Sequence, residues 1–233
     1  MKWGLIYENK IKKAGGVKRY IENKIKREKQ FVKIIKRYAD LSPGYIVEAG
    51  CGTAIISFML ASMGYHVVAL DKDREMLQLA KSLSCYFPNA KGKIKFIRGN
   101  ILHFPKIDNV NIIFSKGVLE HFNDSKIINI LQQQLRLSNY VIFSIPSSFF
   151  KGYPGEYGNE RFLDKKSWRS IIENSGGNII EEFGTIGSTS DFKLKFAKFL
   201  DTVSFGILPL TKPFIGFVIK GWKNKKGKKY KER

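Results

Sequence analysis

A chain of 233 residues with 43% hydrophobic residues can bury a sizeable core, which excludes wholesale disorder and suits one domain with additions. Its 41 lysines and arginines against 20 acidic residues leave a formal charge of +21, so nucleic acid, anionic lipid headgroups or an acidic substrate are expected partners, although a lysine-rich bias with no partner explains the charge equally well. Two cysteines, Cys51 and Cys85, exclude a disulfide framework, and with only three histidines and no metal-ligand spacing there is no support for a metal site.

Met1 to Gly16 alternates lysines with apolar residues and has no continuous hydrophobic core, so no secretory signal is read there and a reducing cytoplasm is the expected compartment. From Val17 to Ala39, Tyr20, Ile21, Ile25, Val32, Ile35 and Tyr38 recur among basic residues at a spacing that predicts a helix with one apolar stripe. Its basic face reads as solvated surface rather than a docking site. Leu41 to Gly44 ends the helix and turns the chain.

Ile46 to Thr53 then joins an apolar strand to a tight glycine turn, followed by an apolar run of helical length. Gly50 and Gly52 lack a Cβ, so the backbone can turn sharply and lie against a ligand, with the next helix aiming its first N–H groups at whatever occupies the turn. A dinucleotide fingerprint requires a small residue where this chain has Ile55, which argues against NAD. Glu48, two residues before Gly50, would repel a pyrophosphate and suits a cationic ligand.

Alternation continues with strands expected at Tyr45 to Ala49, Val67 to Leu70, Ile94 to Arg98, Val110 to Ser115 and Tyr140 to Ile145. Helices are expected at Thr53 to Met63, Asp73 to Ser84 and Asp124 to Leu137, the pattern of a parallel sheet covered on both faces. Glu48, Asp71, Asn100 and Ser115 all fall at carboxyl ends of strands, where ligands bind in such sheets. Farther on, Asp164 is placed to cap a helix over Lys165 to Asn174 that Gly176 and Gly177 stop. Asn178 to Ile186 and Pro213 to Trp222 read as the last two strands. Ser188 to Thr211 between them is an apolar insertion that Pro209, Lys212 and Pro213 keep from being a transmembrane span. The tail from Lys220 is lysine-rich and could attract anionic lipid or nucleic acid.

Four stretches in order carry a resemblance to the class I S-adenosylmethionine-dependent methyltransferases: Ile46 to Thr53; Leu70 to Leu77; Arg98-Gly99-Asn100-Ile101; and Ser115 through Phe122 with its Lys116-Gly117-Val118-Leu119-Glu120-His121-Phe122 ending. Ala54 stands where the family most often has a third glycine, and Asn100 where it has aspartate. The resemblance implies an α/β, Rossmann-like seven-stranded sheet, mostly parallel, with the last strand antiparallel at the sheet end and helices on both faces. It also implies S-adenosyl-L-methionine as cofactor, held by Glu48, Gly50, Cys51, Gly52, Asp71, Lys72, Asn100, Ile101 and Ser115, with Asp71 on the ribose hydroxyls. A family loop of the form Tyr-Gly-x-x-Arg corresponds to Tyr157, Gly158 and Arg161, so Tyr153, Tyr157 and Arg161 are the expected acceptor contacts. His121 is the candidate general base.

The implied organisation is an N-terminal helical cap over residues 1–40, a methyltransferase domain over 41–222 with a lid-like insertion at 188–211, and a basic tail over 223–233. The acceptor is expected to be a small molecule or lipid-like, with an anionic membrane surface as a partner and a peripheral membrane location open. An RNA methyltransferase is the first alternative, although Phe114-Ser115-Lys116-Gly117 lacks both the Asn-Pro-Pro-aromatic run and the Pro-Cys nucleophile of base-modifying enzymes. A non-catalytic module that keeps the cofactor fold for docking is the second.

Overall fold

The computed structural model describes residues 3–39, 44–148, 158–185 and 214–221. Tyr153, Tyr157, the 188–211 insertion and the basic tail lie outside the described residues. Two helices, α1 (Trp3–Lys13) and α2 (Val17–Tyr38), precede the alternating core. The core comprises β1 (Tyr45–Ala49), α3 (Ile55–Ser62), β2 (Val67–Asp71), α4 (Arg74–Ser82), β3 (Ile94–Arg98), β4 (Val110–Lys116), α5 (Asp124–Leu137), β5 (Tyr140–Pro146), α6 (Lys165–Asn174), β6 (Gly177–Thr185) and β7 (Phe214–Gly221). Periodicity assigns no element to the stretch that becomes α1, because this helix buries no residue completely and so carries a weak apolar stripe.

The seven strands form one sheet in the order β3-β2-β1-β4-β5-β7-β6. β1 to β5 pair in parallel, while β7 runs antiparallel to both β5 and β6. The last strand is antiparallel as expected, but it does not lie at the sheet end: β7 is inserted between β5 and β6, and β6 forms the edge. Chain order does not dictate strand order here, because the apolar run Ile215 to Ile219 is buried on both faces and needs a neighbour on each side.

Strand order reverses between β1 and β4, which opens a crevice beyond their carboxyl ends. Alternate residues send side chains to opposite faces. Ile46, Ile112 and Phe114 pack against α2, α3 and α4, while Val47, Ile113 and Phe143 pack against α5 and α6. Phe31 anchors α2 on the first face, fully buried with ring centroids 6.0 Å from Phe114 and 6.0 Å from Phe183. Trp168 does the same for α6 beside Phe143. Three helix starts have side-chain caps, with Asp73, Asn123 and Asp164 accepting from the first turns of α4, α5 and α6.

Among the described residues no helix is long and apolar enough to cross a membrane. Phe31→Ala should cost about 3–5 kcal/mol by emptying the contact that seats α2, read as a fall in the urea midpoint with little change in slope.

Candidate functional site

Glycine geometry defines the centre of the crevice. Gly50 (φ 75°), Gly52 (φ 53°) and Ala54 (φ 54°) all adopt left-handed backbone conformations within five residues of the end of β1. For the two glycines this costs no side-chain clash, whereas Ala54 bears roughly 1–2 kcal/mol of steric cost. The end of β2 holds the turn: Leu70 O accepts Gly50 N (2.8 Å) and Cys51 N (2.9 Å). Asp71 completes the grip, with Oδ2 accepting Gly52 N at 3.0 Å and Oδ1 accepting Asp73 N at 3.0 Å. Its carboxyl lies above the usual range because burial outweighs those two bonds. Each carboxylate oxygen keeps a second lone pair, so a pair of vicinal hydroxyls can still be received.

Glu48 plays a part that the sequence pattern did not reveal. Ala54 has no side chain to cap α3, and Glu48 Oε2 instead accepts both Ser57 N (3.1 Å) and Ser57 Oγ, supplying the cap from the neighbouring strand. Glu48 is 5% exposed, and burial lifts its carboxyl to about 8 despite the Ser57 bonds. Its carboxyl is thereby tied to the helix that leaves the turn. Cys51 is buried beside Glu48 and Asp71, which together with desolvation push its thiol well up, so it is not a ready nucleophile.

The remaining expected residues are distributed around this turn. Asn100 follows β3 and is exposed, its Oδ1 accepting Leu102 N at 3.0 Å, which orients its amide. Ile101 is buried beneath it, and Ser115 is buried near the end of β4. Lys72 is exposed, and its backbone carbonyl receives Arg98 Nε at 3.3 Å. His121 Nδ1 meets Asn159 Oδ1 at 2.8 Å, and Trp3 of α1 stands edge-on to the imidazole at 5.9 Å. Arg161 directs Nη1 to Phe122 O (2.7 Å) and Nη2 to Asp124 Oδ1 (2.7 Å), so its guanidinium fastens the 158–164 segment to the start of α5.

Sequence reasoning missed the residues that roof the turn. A Cβ placed on Gly50 would come 2.8 Å from Val118 Cγ2, and one on Gly52 would come 3.2 Å from Tyr7 Oη. A side chain at Gly50 would collide with Val118, whereas at Gly52 the hydroxyl end of Tyr7 would have to give way by a few tenths of an ångström. Tyr7 could not be read from the pattern, since it reaches the turn across a long sequence separation. Glu120 was also missed: it is 3% exposed, its Oε2 has no hydrogen-bond partner, and burial lifts its carboxyl to about 8. A groove of about 380 Å³ between α1 and α4, lined by Gly4, Leu5, Glu75 and Leu79 among others, includes none of the turn residues.

The order of strands, the glycine turn and the acid closing β2 coincide with a match of residues 46–139 to the family model described as "Methyltransferase domain". Over that stretch the chain is similar to methyltransferases. It is 26% identical over 132 residues to a ubiquinone biosynthesis O-methyltransferase of Rickettsia canadensis (strain McKiel), a match covering 56% of this chain and 55% of that one. The chain thus spans about half the length of the curated relatives it matches first.

Solved methyltransferases share its fold. The CcbJ methyltransferase from Streptomyces caelestis superposes with a TM-score of 0.62 at 12% identity, covering 82% of this chain and 88% of that one. The magnesium protoporphyrin IX methyltransferase from Synechocystis PCC 6803 with bound SAM does so with a TM-score of 0.59 at 14% identity, covering 87% and 81%.

The raised carboxyl of Glu48 has a pH signature. Between its ordinary value of 4.5 and its folded value of about 8 the folded chain holds a proton that the unfolded chain releases. Its contribution to stability is therefore complete below 4.5 and is lost as pH rises through 8. Glu48→Gln keeps an acceptor for Ser57 N and removes the titration, so the variant should gain on the parent across that interval. Urea unfolding at a series of pH values checks this; a constant difference would mean that Glu48 ionises as freely as in the unfolded chain.

Proposed function

We propose that this protein transfers a methyl group from S-adenosyl-L-methionine to an oxygen, nitrogen or carbon nucleophile of a small-molecule or lipid-like acceptor. The observation that carries the reading is the bond from Gly52 N to Asp71 Oδ2: it places a carboxylate with spare lone pairs beside a left-handed turn that glycine adopts without side-chain strain. When bound, the cofactor supplies a methyl group on a positively charged sulfur that a nucleophile displaces in line. The chain's task is alignment and exclusion of water, which alone lower a displacement barrier substantially.

In this reading Asp71 receives the ribose hydroxyls, Gly50 and Gly52 admit the ligand against the backbone, and Asn100 offers its amide to the adenine edge beside buried Ile101. Tyr7 and Trp3 of α1 cover the crevice. Asn159 Oδ1 fixes the His121 ring through Nδ1, so Nε2 is the nitrogen that can take a proton from an acceptor hydroxyl or amine. Tyr153 and Tyr157 remain the proposed acceptor contacts, and Arg161 ties the 158–164 segment to the start of α5. The formal charge of +21 supports a lipid-like acceptor met at an anionic membrane surface, where attraction grows with each basic residue.

Calorimetric titration with S-adenosylmethionine tests the reading. The parent chain should bind it, and Asp71→Ala should bind about 10–100-fold more weakly, the equivalent of losing one or two charge-assisted hydrogen bonds, with circular dichroism unchanged. No binding at millimolar cofactor would overturn the proposal, and binding without methyl transfer to any lipid, RNA or metabolite fraction would favour a docking module.

A further inference from the structure

Beyond the glycine turn, α2 carries a row of side chains one helical turn apart that runs from the turn to the carboxyl end of β4. Tyr20 Oη lies 3.4 Å from Thr53 Oγ1 and so touches the turn itself. With a rise of about 1.5 Å per residue, Lys24 stands about 6 Å and Glu28 about 12 Å farther along the helix. Glu28 is the one acid on the apolar stripe, seven residues after Ile21 and four before Val32, and it is 3% exposed. Lys116, the last residue of β4 and the neighbour of Ser115, ion-pairs with Glu28 Oε2.

Two further cations crowd the same carboxylate. Lys24 Nζ is 3.7 Å and Arg27 Nε 3.5 Å from Glu28 Oε1. None of the three is well solvated, with side-chain exposures of 23% for Lys24, 32% for Arg27 and 17% for Lys116. Three positive charges against one negative leave a surplus of two in this half-buried place. Arg27 Nε is itself buried without a hydrogen-bond partner. Burial and the charge of Arg27 hold the Lys24 amine down at about 8, the direction expected of a cation short of anions. A structural ion pair needs one cation for its carboxylate, and adding unneutralised cations to a desolvated site is unfavourable.

The surroundings indicate what would relieve that surplus. Lys116 Nζ lies 5.6 Å from the ring centre of Phe31 and 5.8 Å from that of Phe214, so the cations are flanked by aromatic surface at the carboxyl ends of β4 and β5. Arg27 adds a planar fork suited to the paired oxygens of a carboxylate or phosphate. We propose that the methyl acceptor bears a carboxylate or phosphate group, and that Lys24, Arg27 and Lys116, gathered about Glu28 beside the cofactor turn, receive it while the half-buried Phe214 ring takes its apolar part. This assignment rests on the methyltransferase reading and names the class of its substrate.

The test titrates inorganic phosphate and, separately, acetate into the full chain saturated with S-adenosylhomocysteine, by calorimetry. One of the two should bind at a single site. Lys24→Gln and Arg27→Gln, which leave the Glu28 to Lys116 pair in place, should each weaken it about tenfold or more, while Lys33→Gln on the exposed side of α2 should not. Preference for phosphate assigns a phosphorylated acceptor, and preference for acetate a carboxylated one. Absence of binding by both probes, or an equal loss in Lys33→Gln, would overturn the assignment. Retained S-adenosylhomocysteine binding in every variant shows that the fold is intact. Should S-adenosylhomocysteine fail to bind even the parent, the methyltransferase reading falls, and the same titration on the cofactor-free chain still decides whether the anion site exists.

Discussion

The grip of β2 on the turn that follows β1 is the constraint from which the rest of the site follows. The last two residues of β2 take up three successive amides of the turn, two on the Leu70 carbonyl and one on the Asp71 carboxylate. That fixes the left-handed path through Gly50, Gly52 and Ala54, and with it the direction in which α3 departs. Glu48 then closes the loop from below by bonding Ser57 at the start of α3. Two acids on adjacent strands thus hold one turn from opposite ends: Asp71 on the side of the crevice, half-buried, and Glu48 within the core. The methyl group of Ala54, fully buried, is retained at a position where glycine would be less strained, and its packing among the residues of α2 and α3 offsets part of that cost.

Much of the frame was legible in the sequence because local rules dominate there. Gly50 and Gly52 mark a path that other residues resist, Asp164 and Gly176 bracket α6 by cap chemistry, and the apolar runs of β1, β3 and β4 fall where alternation with helices puts them. What escaped depends on contacts between distant parts of the chain. The weak stripe of α1 gives no hint that Tyr7 covers Gly52 or that Trp3 meets His121. The sequence pattern puts Glu48 near the end of β1 and Arg161 shortly before α6, yet which neighbour each side chain bonds is a matter of rotamer and tertiary packing. Glu28 did leave a trace, an acid set on an apolar stripe, and such a residue needs a buried cation near it.

The positive charge of the chain therefore has two distinct components. Most lysines on the outer faces of α1 and α2 are solvated, screened by salt and weakly coupled to anything in particular. The few that converge on Glu28 are held where screening is poor, and there each added charge alters its neighbours' ionisation. Net charge alone does not separate these groups; the address on the helix does.

The insertion of β7 between β5 and β6 has a consequence for how the molecule is assembled. Every other pairing in the sheet joins strands that have all been made by residue 146, whereas the final eight-residue strand must enter a gap flanked by β5 and β6. Until it arrives, Val141 to Ile145 and the facing edge of β6 present unsatisfied amides and carbonyls to solvent and to other chains. Synthesis from the ribosome consequently passes through a stage in which five strands and the crevice can already exist while β6 still waits for β7, a window in which strand exchange between molecules competes with completion of the fold.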